Sequence, residues 1–409
     1  MPESGGRPWW RLGTSSIVVA AFVGPGTVLT CASAGVTFGY ALGWVLLFST
    51  LSVFVLQSFT ANTGILARRG LGEAVRETIT APGPRAASFT LVVIGLWVGC
   101  AAFEMGNLIG AAAGITTLMD LPMDDRWIVA LIAVLAGIIL LLDLRVLVRV
   151  FAVLVGGMSV LFLGGLVLTP VDWTAALTGL TVPSVPDGSL LTVVALIGTT
   201  VVTYNLFLHA SVAKQYWADT DDAEAAWRRE MTGMALFLPV GGLISFAILA
   251  TGATLFGIGA RVDGVATMAR LLEPAAGSAA QLFFGLGLFA AGLTSTITAP
   301  LAAATGIQEL FGWDDDPAGW GFRGVWASVL LTGCAFGLAG WSPLPAIVAA
   351  QAANGVLLPL IAAFVLYLSM RQDVVTLPGW YRMLRGAIRR LCAGLGARTL
   401  WWVAQQVGG

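Results

Sequence analysis

Two stretches of this 409-residue chain put polar backbone inside apolar sequence. The first is FVGPGTVLTCASAG, Phe22 to Gly35, where Gly24-Pro25-Gly26 interrupts an otherwise apolar run. Proline removes a backbone donor and clashes with the preceding turn, and flanking glycines loosen what remains. The second is Gly198-Thr199-Thr200-Val201-Val202-Thr203-Tyr204-Asn205, polar and β-branched residues in series, which are poor helix formers. In a bilayer, amides and carbonyls freed by a break are tolerated only where they line a cavity or are buried in protein. Two facing breaks offer a binding chemistry of backbone dipoles and neutral side chains. Gly24 and Gly26 allow close backbone approach, and Thr27, Thr30, Thr199, Thr200, Thr203, Tyr204 and Asn205 supply neutral hydrogen-bonding groups. The bland alternative is that the threonines bond back to their own helix.

Two titratable residues stand out. Glu104 falls in the middle of an apolar segment with no basic partner in any such segment, so its charged form is costly there. His209 is the single histidine. An ionisable residue within a span is a functional hypothesis by default, and both are proton-coupling candidates. For His209 the commoner outcome is a bond to a neighbouring carbonyl. The four cysteines (Cys31, Cys100, Cys334, Cys392) are scattered, without a CxxC or Cys/His cluster, and suit packing. No nucleotide loop, nucleophile–base pair or metal cluster is present, so neither an enzyme nor a cofactor is expected.

The elements that position these residues are membrane helices. Apolar residues make up 57% of the chain and charged ones 11%, against about a quarter charged in soluble domains. Mean hydropathy is +0.88. The net charge of −1 gives no basis for nucleic-acid binding. At about twenty apolar residues per crossing, ten segments emerge: roughly 14–39, 41–67, 87–118, 127–144, 147–169, 190–216, 232–258, 277–310, 322–340 and 343–370. With the N-terminus inside, only Arg126, Arg261 and Arg270 of the 21 basic residues fall in outer loops. The positive-inside rule then places both termini in the cytoplasm. The expected layout is a cytoplasmic 1–13, a five-helix repeat over 14–169, a second over 190–370, and a basic cytoplasmic tail over 371–409. Leu384, Ile388, Leu391 and Leu395 share one face of that tail, which suits a helix lying on lipid; a loosely ordered tail is as good an account.

The chain resembles the natural resistance-associated macrophage protein (Nramp) transporters, proton-coupled importers of manganese and iron. Gly24-Pro25-Gly26-Thr27 stands where the family has Asp-Pro-Gly-Asn, and Phe38-Gly39-Tyr40 where it has Tyr-Gly-Tyr. Asn205-Leu206-Phe207-Leu208-His209 is intact, and Gly292-Leu293-Thr294-Ser295-Thr296-Ile297-Thr298 resembles the eighth-helix motif. Glu104 aligns with an acid on the family's proton route, although its neighbour here is the neutral Asn107. The resemblance implies an all-α membrane protein of the leucine-transporter type, with two inverted five-helix repeats and broken helices one and six.

The departures fall on the metal ligands. Gly24 replaces the family's aspartate, Thr27 its asparagine, Val202 its methionine and Tyr204 its histidine. Gln351 and backbone carbonyls remain of the usual oxygen donors. A stripped divalent ion at such a site would face no charged ligand, and the softer donors that select transition metals are gone. The expectation is therefore a secondary transporter of a small polar organic solute, with Gly24, Gly26, Thr27, Thr200, Val202, Thr203, Tyr204, Asn205 and Gln351 at the substrate. A divalent cation moved with its water shell is the first alternative. A non-transporting sensor or scaffold, its threonines packed dry, is the second. Substrate, lipid and protons are the expected partners.

Overall fold

The structure is a computed structural model. It describes residues 14–119, 124–142, 144–257, 265–313, 319–339, 351, 354, 358, 361–365 and 367. The described chain is almost wholly helical: α1 (Ser15–Phe22), α2 (Pro25–Phe38), α3 (Gly43–Ala61), α4 (Leu71–Thr78), α5 (Pro82–Leu118), α6 (Asp125–Ile139) and α7 (Leu144–Leu168). Then follow α8 (Trp173–Thr181), α9 (Leu190–Thr200), α10 (Thr203–Tyr216), α11 (Ala223–Ala253), α12 (Val265–Phe311) and α13 (Trp320–Leu338). Helices meet each of the first nine expected spans; seven are long and apolar enough to cross a membrane. Most of the tenth span, the first thirteen residues and the tail lie outside the described residues.

Both breaks are present. The first helix stops at Phe22 and restarts at Pro25, with Gly24 extended (φ −107°, ψ 180°) as the cap of α2. Proline fits a first helical turn because its missing amide would have had no partner there. The sixth stops at Thr200 and restarts at Thr203, with Val202 extended (φ −84°, ψ 122°).

Glycine sets the closest crossings. A Cβ on Gly35 would collide with the backbone carbonyl of Leu249, and one on Gly252 with that of Ala32, so α2 and α11 touch backbone to backbone. Small residues do the same for α5 against α12 at Gly114 and Gly292. The last turn of α3 widens into a π-turn, Asn62–Leu66, beside α10.

Three features depart from the hydropathy reading. Two short helices, α4 and α8, occupy connections expected to be loops. The seventh helix begins at Ala223, capped by Asp222 accepting from the Ala225 amide at 2.9 Å, and not near residue 232. Glu230, assigned by sequence to a loop, is thereby carried into the bundle and fully buried.

Candidate functional site

The C-terminal carbonyls of α1 and the N-terminal turn of α2 meet the corresponding ends of α9 and α10. Thr27 donates its hydroxyl to the Phe22 carbonyl, and its Oγ1 lies 2.8 Å from Thr199 Oγ1. With Thr27's single proton used, Thr199 is the donor, so a hydrogen bond joins the two breaks. Asn205 donates to Val18 O at 3.0 Å, and Tyr204 reaches Ala21 O at 3.4 Å. Thr200 bonds back to Leu196 O at 3.0 Å, as the bland alternative had it, but Thr27, Thr199 and Thr203 do not.

One residue that sequence reasoning missed closes the second break. Asn354, in the tenth span, donates to Gly198 O and to Val201 O (3.1 Å), and accepts from Thr203 Oγ1 at 2.9 Å. Its side chain replaces the intrahelical donors that the break removes. The signal was its position, three residues after Gln351 and so on the same helix face.

The position vacated by the family's aspartate is also filled. A Cβ on Gly24 would sit 2.5 Å from Ser295 Oγ and 3.5 Å from Asn107 Oδ1. Ser295 of α12 and Asn107 of α5 thus converge on the first break. Asn205 Oδ1 and Ser295 Oγ at the breaks are buried without a hydrogen-bond partner among the described residues, as are Thr30 Oγ1, Thr296 Oγ1 and Gln351 Oε1 on the helices that supply them. Val202 is 4% exposed and adds only apolar surface, while Gly26 packs within the first turn of α2. A largely apolar cavity bounded by Val92, Leu96, Phe207, Ile361 and Phe364 reaches Thr203. Among the described residues no group of three His, Cys, Asp or Glu gathers to hold a metal.

Glu104 is fully buried, and Asn107 one turn on is the polar side chain that bears on its carboxylate. It lies three residues before Asn107 on α5 and packs against Gly333 of α13, where a Cβ would come within 2.5 Å of its Cγ. Tyr204 packs edge-on against the neighbouring Phe103, ring centroids 5.7 Å apart. His209 lies elsewhere, and it is not bonded to a neighbouring carbonyl. Its Nδ1 is 2.7 Å from Thr60 Oγ1 and its Nε2 3.3 Å from Glu230 Oε1.

A family model for natural resistance-associated macrophage protein-like proteins matches residues 15–402. The divalent metal cation transporter MntH of Burkholderia ambifaria is 28% identical over 416 residues, covering 95% of this chain and 88% of that one. Among solved structures, the Eremococcus coleocola manganese transporter superposes with a TM-score of 0.74 at 19% identity, over 96% of this chain and 87% of its own. A nucleobase-cation-symport-1 family transporter reaches 0.59 at 16% identity, over 91% and 82%. At these identities the structural likenesses establish the fold alone, a bundle with broken helices one and six. The match over nearly the whole chain goes further: this protein belongs to the Nramp family of membrane transporters.

Proposed function

We propose that this protein carries a divalent metal cation across the membrane, gripping it with neutral oxygen donors while the ion keeps part of its water shell. One observation carries the reading. Asn205 Oδ1 and Ser295 Oγ at the breaks, and the side-chain oxygens of Thr30, Thr296 and Gln351 on the helices that supply them, are buried without a partner among the described residues. An unsatisfied buried polar group costs about 1–3 kcal/mol, and a scaffold packed dry has no reason to gather several. Relatives named as divalent metal cation transporters favour a cation over the polar organic solute that a bare α2 N-terminus suggests. The donors are uncharged oxygens with no thioether, so hard ions should be held as well as manganese. Glu104, one turn from Asn107 on α5, is the nearest source of negative charge along that helix.

In this reading Gly24, Gly26, Thr27, Thr200, Val202, Thr203, Tyr204, Asn205 and Gln351 border the ion's path, and Glu104 and His209 are the groups that could exchange protons. The halves 14–169 and 190–370 act as inverted repeats, with both termini in the cytoplasm. Outward apolar residues such as Val153 and Val160 on α7, 73% and 70% exposed, face lipid. The test is uptake of Mg2+ and Mn2+ into proteoliposomes. Expected is saturation at roughly 0.1–1 mM, the range of oxygen sites with few charged ligands, with little preference between the ions and a loss in Gln351→Ala. Absence of uptake of either ion, with stabilisation by amino acids or small carboxylates, would replace the cation with an organic solute.

A further inference from the structure

The buried carboxylate of Glu230 meets the groups described above only through His209, yet it collects more hydrogen bonds than any group near the breaks. Its Oε1 accepts from Thr14 N at 3.1 Å, Thr14 Oγ1 at 3.0 Å, Ser15 Oγ at 3.1 Å and His209 Nε2 at 3.3 Å. Its Oε2 accepts from Thr14 N at 3.1 Å and Trp217 Nε1 at 2.8 Å. Thr14 and Ser15 begin α1; His209 is on α10 and Trp217 follows it; Glu230 is on α11. A carboxylate at the start of α1 also meets the positive end of that helix's dipole. The neighbouring bond of Thr60 Oγ1 to His209 Nδ1 ties α3 to the same cluster.

We propose that Glu230 is the latch that keeps one end of the transport pathway shut, clamping the first half-helix to α10 and α11. The proposal rests on the transporter reading of the two breaks. Three features make a latch of this cluster and not a generic core contact. First, α1 is a separate eight-residue piece, joined to α2 only through the non-helical Val23 and Gly24. Second, its residues from Thr14 to Val23 are at most 3% exposed wherever the side chain is described, so α1 is packed on every side. Third, every partner of Glu230 is a donor, and α1 alone contributes three donor groups. Withdrawing α1 therefore strips the carboxylate of four of its six bonds at once, and water must replace them. That is the behaviour of a two-state clasp: either closed with the carboxylate satisfied by protein, or open with it hydrated.

Leucine is the informative replacement: it accepts no hydrogen bond, whereas glutamine could keep the bonds from Trp217 Nε1 and the Thr14 amide and donate its NH2 to the Thr14 and Ser15 hydroxyls. Hydrogen exchange of the full-length protein in lipid nanodiscs tests the latch without reference to any substrate. In Glu230→Leu, amides of α1 should exchange at least tenfold faster while those of α2 stay within twofold of the wild type. Trp217→Phe, which removes one donor and does not touch α1, should give a smaller acceleration in the same segment. Rates in α1 within twofold of the wild type overturn the latch, and so does uniform acceleration through α2 and α11, which would mark Glu230 as ordinary packing. Should the leucine variant fail to fold, Ser15→Ala and Trp217→Phe decide alone: no acceleration in either overturns the proposal. If α1 opens as expected while neither Mg2+ nor Mn2+ is taken up, the latch stands and the cation reading falls.

Discussion

Replacing Asn354 should release the second break, and the size of the effect follows from its three bonds. Its amide nitrogen serves Gly198 O and Val201 O, and its oxygen takes the Thr203 hydroxyl. A neutral hydrogen bond contributes about 1 kcal/mol net, so the set is worth about 3 kcal/mol. At 1.4 kcal/mol per decade that is about 100-fold in the population of the opened break. Asn354→Leu keeps the branched shape, with methyls larger than the amide atoms, and removes every bond without leaving a cavity, so it separates hydrogen bonding from cavity formation; Asn354→Ala removes both. Thr203→Val deletes one bond and should cost about a third as much. The assay is amide exchange over 198–203, which reports local opening free energy, alongside thermal denaturation. If Leu at 354 leaves exchange in that segment within twofold of the wild type, the bonds do not hold the break and the reasoning fails. Asn354→Asp tests the same geometry from the other side. A carboxylate against two carbonyls presents only acceptors, so this variant should acquire divalent-cation affinity at the break, seen as a metal-dependent rise in apparent melting temperature.

Two further outcomes are expected. Gly24→Asp with Thr27→Asn and Val202→Met should give micromolar calorimetric heat with manganese that the wild type lacks; because the new Cβ would crowd Ser295 Oγ at 2.5 Å, adding Ser295→Gly should strengthen it, and no heat in either variant would show that lost ligands are not what weakens the wild-type site. Glu104→Gln should abolish pH-driven uptake in vesicles while leaving cation binding in place, since the neighbouring Asn107 has no titratable proton; unchanged pH dependence would assign Glu104 to structure and leave His209 as the remaining candidate.

The breaks were legible because their causes are local. Gly-Pro-Gly and a run of threonine, valine and tyrosine disfavour helix wherever they stand, and α2 starts at the proline itself. What fills the breaks was not legible. Asn354, Ser295 and Asn107 act from other helices, and a single chain read in order does not show which face of a span meets which break. Glu230 was hidden differently. Hydropathy locates the apolar core of a helix and not its end, so a residue two turns inside α11 was assigned to a connection. The Asp222 cap was the overlooked local signal. The short α4 and α8 escaped because eight or nine residues fall below any crossing length. The organic-solute expectation finds no support among the relatives, and it had a physical weakness: missing anionic ligands exclude a stripped ion, and that exclusion says nothing against a hydrated one.

The backbone contact of α2 with α11 makes the two halves of the broken first helix mechanically unequal. Where Gly35 meets the Leu249 carbonyl and Gly252 that of Ala32, no side chain lies between the helices to change rotamer and let them slide. Moving α2 along α11 means losing a whole strip of close contacts together, which a densely packed interior resists. Beyond the residue-23 joint, α1 meets α10 and α11 through side chains alone: Phe22 and Val19 against Gly241, and the bonds of Asn205, Tyr204 and Glu230, which water can replace. On the latch proposed above, the first helix is then a stator and a rotor in one strand of sequence, and the stiffness gradient across Val23 and Gly24 decides which of the two turns.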